Sequence, residues 1–199
     1  PLALLIVFGS WAVTSPVGSS PDDDYHLASI WCVGGERSGV CGVVADEPQA
    51  LAAPESVVVA NVCFAFEPAV TAACAEGLTD TLVPAVRVNN REGLYPSSFY
   101  RVMHIFVGED PQRSVLMMRL FNAIVFVSLL SLALTLLTPA IRSAVTVVTA
   151  VVLVPLGLFI IPSTNPSSWT VTGLVFLWAF GLALAQRTSW RSRQTWLLA

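Results

Sequence analysis

The chain has 199 residues, 55% of them hydrophobic and 12% charged, with a mean hydropathy of +0.72 and a formal net charge of -3. Soluble domains carry about 25% charged residues, so the composition excludes an ordinary soluble enzyme, and without a basic block there is no footing for a nucleic-acid partner. All 13 acids lie between Asp22 and Asp110; residues 15–114 also hold five arginines and carry -8, while the other five arginines (119, 142, 187, 191 and 193) give the rest of the chain +5. This reads as an α-helical integral membrane protein with one acidic, water-facing insert.

In chain order, Leu2–Val13 is apolar but too short to cross a bilayer core, which needs about 20 residues. It is read as part of a first span, residues 1–14, whose start is missing; a secretory apolar core is the alternative. Residues 15–114 form an insert of about 100 residues, far longer than a connection needs. Val115–Leu137 is free of acids and about 35 Å long as a helix. Ala144–Ile161 is free of any charge and about 27 Å long, with Pro155 and Gly157 predicting a kink. Trp169–Gln186 is the last span, bounded by Trp169 and Trp190 at interfacial positions. Residues 187–199 are a tail. The expected fold therefore has about four transmembrane helices, the first truncated. Arg142 in the Thr138–Ser143 turn and Arg187, Arg191 and Arg193 in the tail place those segments in the cytoplasm. The insert and the uncharged Pro162–Ser168 loop then lie outside a cell membrane.

The insert holds all four cysteines, Cys32, Cys41, Cys63 and Cys74. An oxidising compartment favours disulfides. Three pairings are open, the simplest being the local pairs Cys32–Cys41 and Cys63–Cys74; no C-x-x-C spacing supports zinc. Asp24–Val33 suits a short helix, Gly34–Gly42 a turn-rich stretch and Val57–Phe66 a strand. Gly93–Val107 suits a helix lying along the membrane surface.

Three polar groups can carry chemistry. Asp22, Asp23 and Asp24 adjoin Tyr25 and His26 only a few residues beyond the first span. A solvated loop with a helix-capping Asp is one reading; a carboxylate at the membrane surface acting as general base or cation ligand is the other. His26 shares a helical face with Asp23. Arg119, one turn inside its span with Asn122 three residues on, either snorkels or binds the phosphate of a lipid-linked substrate; His104 and Arg101 flank that region. Asn165-Pro166-Ser167-Ser168-Trp169 reads as a structural turn into the last span.

The order of these pieces carries a resemblance. A first span is followed at once by Ser20-Pro21-Asp22-Asp23-Asp24-Tyr25-His26; then come a long loop, Tyr95-Pro96-Ser97-Ser98-Phe99-Tyr100, an Arg in the next span, and Asn165-Pro166-Ser167. This resembles the actinobacterial membrane proteins of the domain of unknown function 2142 family, in which a P-P-D-E-x-x-H pattern is expected after the first span. They are similar to the GT-C superfamily of polyprenyl-phosphate-sugar-dependent glycosyltransferases, of which this chain would be an N-terminal part. Asp22 matches the Asp and His26 the His; Asp23 stands in the Glu position, one methylene shorter, and Ser20 replaces the first Pro. The resemblance implies inverting transfer from a polyprenyl-phosphate sugar donor to a glycan or protein acceptor at the outer face of the bilayer. Asp22 or Asp23 would be the catalytic carboxylate that takes the acceptor proton, and both would be ligands where a divalent cation binds. His26, Tyr95, Tyr100, His104 and Arg119 would bind substrate. Two other functions stay open: a non-catalytic subunit for transport or assembly of lipid-linked glycans, and a membrane-anchored extracytoplasmic binding protein.

Overall fold

The structure, a computed structural model, describes residues 1–44, 47–85, 90 and 93–197; for residues 47–49, 152 and 187–197 it describes the backbone alone. The side chains of Arg187, Trp190, Arg191 and Arg193, on which part of the orientation argument rests, lie outside the described set.

Helix α1 spans Leu2–Thr14 and buries Phe8 and Ala12. It lies against α5, Pro111–Leu136, where the Phe8 and Phe126 rings meet edge to face at 5.6 Å. The start of α5 is specified locally. Asp110 accepts the Arg113 N–H at 3.1 Å and Pro111 occupies the first turn, where its missing N–H costs nothing. Two helices, Pro111–Leu136 and Ser167–Gln186, are long and apolar enough to cross a membrane, whereas Leu2–Thr14 and Pro139–Val151 are apolar but shorter.

The segment expected as one kinked span, 144–161, is two helices. α6 covers Pro139–Val152 and α7 covers Pro155–Ile160. Pro155 has no N–H to continue the ladder, and it drives Val154 to an extended ψ of 167°. Among its described residues α6 buries none, and a largely apolar cavity of about 440 Å³ lies among α5, α6, α7 and α8, bordered by Phe126, Val145, Val148, Val175 and Trp178. The last helix, α8, runs over Ser167–Leu197, so the expected tail begins as a continuation of the helix. Two contacts fix the sense of this group. The Thr138 N–H reaches Gln186 Oε1 at 3.2 Å at one end; at the other, Asn165 Nδ2 donates to the Pro21 carbonyl at 2.8 Å.

In the insert, α2 (Asp23–Cys32), α3 (Glu55–Val58) and α4 (Ser97–His104) pack with a small antiparallel sheet. Its strands are β1 (Gly42–Val44), β2 (Glu47–Pro54) and β3 (Leu82–Pro84), in that order, with Val43 opposite Leu51 and Ala53 opposite Val83. The strand expected at Val57–Phe66 is not formed. Strand β2 ends at Pro54, and the chain turns through α3 so that Val57 and Val58 enter the core together; burial here overrides β-branched propensity. Phe66 sits at φ 66°, outside any strand conformation. The helix expected over Gly93–Val107 is shorter, and α4 buries Phe99, Tyr100 and Met103 within the protein. One core joins Leu27, Ile30, Trp31, Val58 and Met103 to Val115 and Met118 of α5; a second joins Phe8, Phe126, Leu130, Ile161 and Phe176. Helix α5 belongs to both, so the boundary expected at 114/115 is crossed by one continuous helix.

The disulfides are Cys32–Cys41 and Cys63–Cys74, with Cα atoms 5.3 and 6.1 Å apart. The first ties the end of α2 to the sheet, and both of its cysteines are buried. The second closes a stretch, 61–75, that contributes no buried side chain. Replacing Cys32 and Cys41 together by Ser is expected to lower global stability by about 2–3 kcal/mol, read by chemical unfolding in mixed micelles. Replacing Cys63 and Cys74 should accelerate hydrogen exchange within 61–75 and leave the global transition in place.

Candidate functional site

The residues around the acidic motif are built from three separate parts of the chain. After α1 the backbone turns at Gly18, whose φ of +81° and proximity to the Asn61 backbone nitrogen (2.9 Å from where a Cβ would lie) admit only glycine. That turn presents carbonyls to α5. The Arg119 guanidinium donates to the Ser15 carbonyl, to the Pro16 carbonyl at 2.9 Å and to Ser19 Oγ at 3.3 Å. It also lies 3.8 Å from Asp23 Oδ2, with only 2% and 0% of the two side chains exposed. Asp23 accepts the Ser20 N–H at 3.0 Å and the Thr164 hydroxyl. Asn122 then completes the junction, donating to the Ser163 carbonyl at 2.7 Å and accepting the Trp169 indole N–H at 2.9 Å. One buried carboxylate and one buried guanidinium thus join the α1–α2 turn, α5 and the 161–166 loop.

Burial raises the Asp23 carboxyl above its ordinary value of 3.8, while Arg119 and the hydrogen bonds from Thr164 and Ser20 pull it down. Asp23 is closed off from solvent, with its oxygens facing Arg119, the Ser20 N–H and the Thr164 hydroxyl. Asp22 is the opposite. It is exposed, precedes α2 in the left-handed conformation at φ 59°, and its carbonyl accepts the N–H groups of Tyr25 and His26 at 3.0 and 2.9 Å. Its side chain does not cap the helix. Non-glycine residues held at positive φ carry a backbone cost, although Asp tolerates it better than most.

His26 is buried with Nδ1 2.9 Å from the Tyr100 hydroxyl. Its ring meets Tyr25 at 5.3 Å and Tyr95 at 5.0 Å, both edge to face. Burial pushes the Tyr100 phenol well above its ordinary 10. Tyr95 is the exposed member of this aromatic group. His104 lies elsewhere: its Nδ1 is 2.8 Å from the Ile30 carbonyl.

The structure therefore brings together some of the residues expected to act and separates others. Asp23, Arg119 and the loop after α1 form one unit; His26, Tyr95 and Tyr100 form another. Asp22 and Asp23 adjoin in sequence but differ in burial. Arg119 does not snorkel, and its donors are held by protein acceptors. Asn122 and His104 have other partners. The expected two-carboxylate cation site does not fit: Asp23 is closed, and among the described residues no group of three or more His, Cys, Asp and Glu side chains converges as metal ligands. Thr164 was not singled out by the sequence, and Asn165 and Trp169 were read there only as part of a structural turn into the last span. Their signal was the polar run from Ser163 to Ser168 between apolar helices, read only as a turn.

A family model described as "Predicted membrane protein (DUF2142)" matches residues 5–199. The chain belongs to this family. No curated protein and no solved structure matches it. Membership in DUF2142 makes the chain a membrane protein, and the long apolar helices α5 and α8 supply its candidate spans; the family description assigns no chemistry.

Replacing Arg119 by Met leaves the Asp23 carboxylate buried without its cation, at an expected cost of about 3–5 kcal/mol. Replacing Asp23 by Asn keeps the Ser20 and Thr164 contacts possible and should cost less, and the double variant should recover much of the Arg119→Met loss. Because burial raises the folded-state carboxyl, the Asp23 contribution to stability falls as pH rises from 3.8 toward the raised value. The Asp23→Asn variant should lose that component of the pH profile. Unfolding midpoints of the four proteins between pH 4 and 8 (an interval of about 4 units) check both expectations.

Proposed function

We propose that this DUF2142 chain carries the external-loop acid of a GT-C-type glycosyltransferase using a polyprenyl-phosphate sugar. The proposed layout has four spans, α1, α5, α6–α7 and α8, with residues 15–114 and the Pro162–Ser168 loop outside an actinobacterial cell membrane and the C-terminus in the cytoplasm. The observation that carries the reading is the division of labour between two adjacent acids: Asp22 is exposed at positive φ, while fully buried Asp23 anchors the same backbone to two other segments. A rigid support of this kind is what a positioned catalytic group requires.

Asp22, the general base in this reading, accepts the proton of the acceptor hydroxyl. The acceptor oxygen bonds to the anomeric carbon as that carbon's bond to the lipid phosphate breaks. The electron pair leaves on the phosphate, and the configuration inverts. Asp23 is a positioning residue. His26, Tyr95 and Tyr100 form the aromatic neighbourhood on α2 and α4 where a sugar can rest against the exposed Tyr95 ring. No step is assigned to a metal. The sharing of α5 between the insert and the helical core weighs against a binding domain that works apart from its membrane helices.

In the full-length protein, Asp22→Asn should lower transfer of sugar from a polyprenyl-phosphate donor by about 10²-fold or more, with an unchanged unfolding midpoint; near-native transfer would remove Asp22 from the reaction. Orientation is checked separately. A single added Cys at Arg193 should resist an impermeant thiol reagent in intact cells, and labelling there would reverse the topology.

A further inference from the structure

A second cationic position lies close to Arg119 and is not consumed by the buried junction. Between the end of α1 and the first turns of α5 is a cavity of about 150 Å³ whose walls include Ala12, Val13, Ser15, Gln112, Arg113 and Arg119. Arg119 is spent on the Ser15 and Pro16 carbonyls and on Asp23. Arg113 is different: its backbone N–H caps to Asp110, its side chain is exposed, and its guanidinium has no hydrogen bond or ion pair with a described residue. It also borders a second cavity that contains Glu109 and Asp110, so acids face it from one side and the Arg119-walled cavity from the other.

The position of this cavity along the helices decides its ligand chemistry. Gln112 and Arg113 close the polar start of α5, and the apolar run that makes it a candidate span begins at Val115. Val13, Trp11 and Met117 are exposed apolar side chains on the same ends of α1 and α5; exposed Trp at such a level marks a membrane interface. The cavity therefore combines a guanidinium, an amide and an apolar rim at the level of lipid headgroups. Arg offers a planar fork matched to phosphate oxygens.

We infer that Arg113, with Gln112, binds the phosphate of an anionic membrane lipid in the cleft between α1 and α5. The site requires no transfer chemistry and holds whichever side of the membrane the insert faces. The test uses the full-length protein in mixed micelles containing phosphatidic acid, with diacylglycerol as the phosphate-free counterpart, and reads retained lipid by native mass spectrometry. The wild type should retain phosphatidic acid in preference to diacylglycerol. Arg113→Gln should weaken retention about tenfold, the loss of one charge-assisted contact, and Arg113→Lys should restore part of it. Arg113 is exposed, and an unchanged unfolding midpoint confirms that the variants are folded. Equal retention by wild type and Arg113→Gln would overturn the inference, as would equal retention of the two lipids. Displacement of phosphatidic acid by millimolar inorganic phosphate would assign the site to free phosphate and overturn the lipid. Asp22→Asn should leave retention unchanged, so failure of the transferase reading and failure of this one are distinguishable.

Discussion

A guanidinium buried beside the start of a long apolar helix must have acceptors in every direction its protons point, because unpaired charge is too costly to keep out of water. Arg119 meets that demand with two carbonyls and a hydroxyl from the turn after α1 and with the Asp23 carboxylate. Those acceptors exist only when residues 15–23 wrap the side of α5. Asp23 in turn needs donors and takes one from the 161–166 loop, which belongs to the far end of the sequence. The shape of the molecule at this end follows from satisfying two opposite charges at once. The net energy of such a pair against an apolar replacement is modest; its consequence is geometric, since the pair is satisfied in one arrangement of three segments.

The surrounding packing extends the same constraint. Asn122, one turn on from Arg119, bridges to Ser163 and to the Trp169 indole, and Phe99 meets the Trp169 ring at 5.2 Å. The first half of α5 thereby belongs to the core of the insert, and its second half to the core formed with α1 and α8. By contrast α6, which lacks a polar side chain reaching this junction, buries none of its described residues and borders a large apolar cavity. The buried polar contacts are concentrated at the end of the molecule where the acidic motif stands.

How far the site could be read in advance depended on the kind of signal. The Pro21-Asp22-Asp23 run, its nearness to the first apolar helix and the local cysteine spacings were visible as linear patterns, and so was Arg119 as a charge inside an apolar run. What each did was not visible. Asp22 and Asp23 have the same side chain and adjoin in sequence, yet one is exposed and the other has no accessible surface. Helix α2 begins at Asp23, so its side chain turns inward toward Arg119, while Asp22 stays in the preceding turn at positive φ. Thr164 and Asn165 lie about 140 positions away, beyond any motif window.

The sequence by itself pointed to the membrane class, to the apolar helices, to an interruption at Pro155 read as a kink, and to the local disulfides as the simplest of three pairings. Each of these follows from hydropathy, from the missing N–H of proline or from short loop closure, which act over a few neighbouring residues. Only the tertiary structure decided that Val57 and Val58 end a short helix instead of starting a strand, that Arg119 is paired inward and that Asp23 is buried while Asp22 is exposed. Those outcomes depend on which distant groups arrive to satisfy a buried charge or fill a core, and that complementarity is a property of the assembled chain.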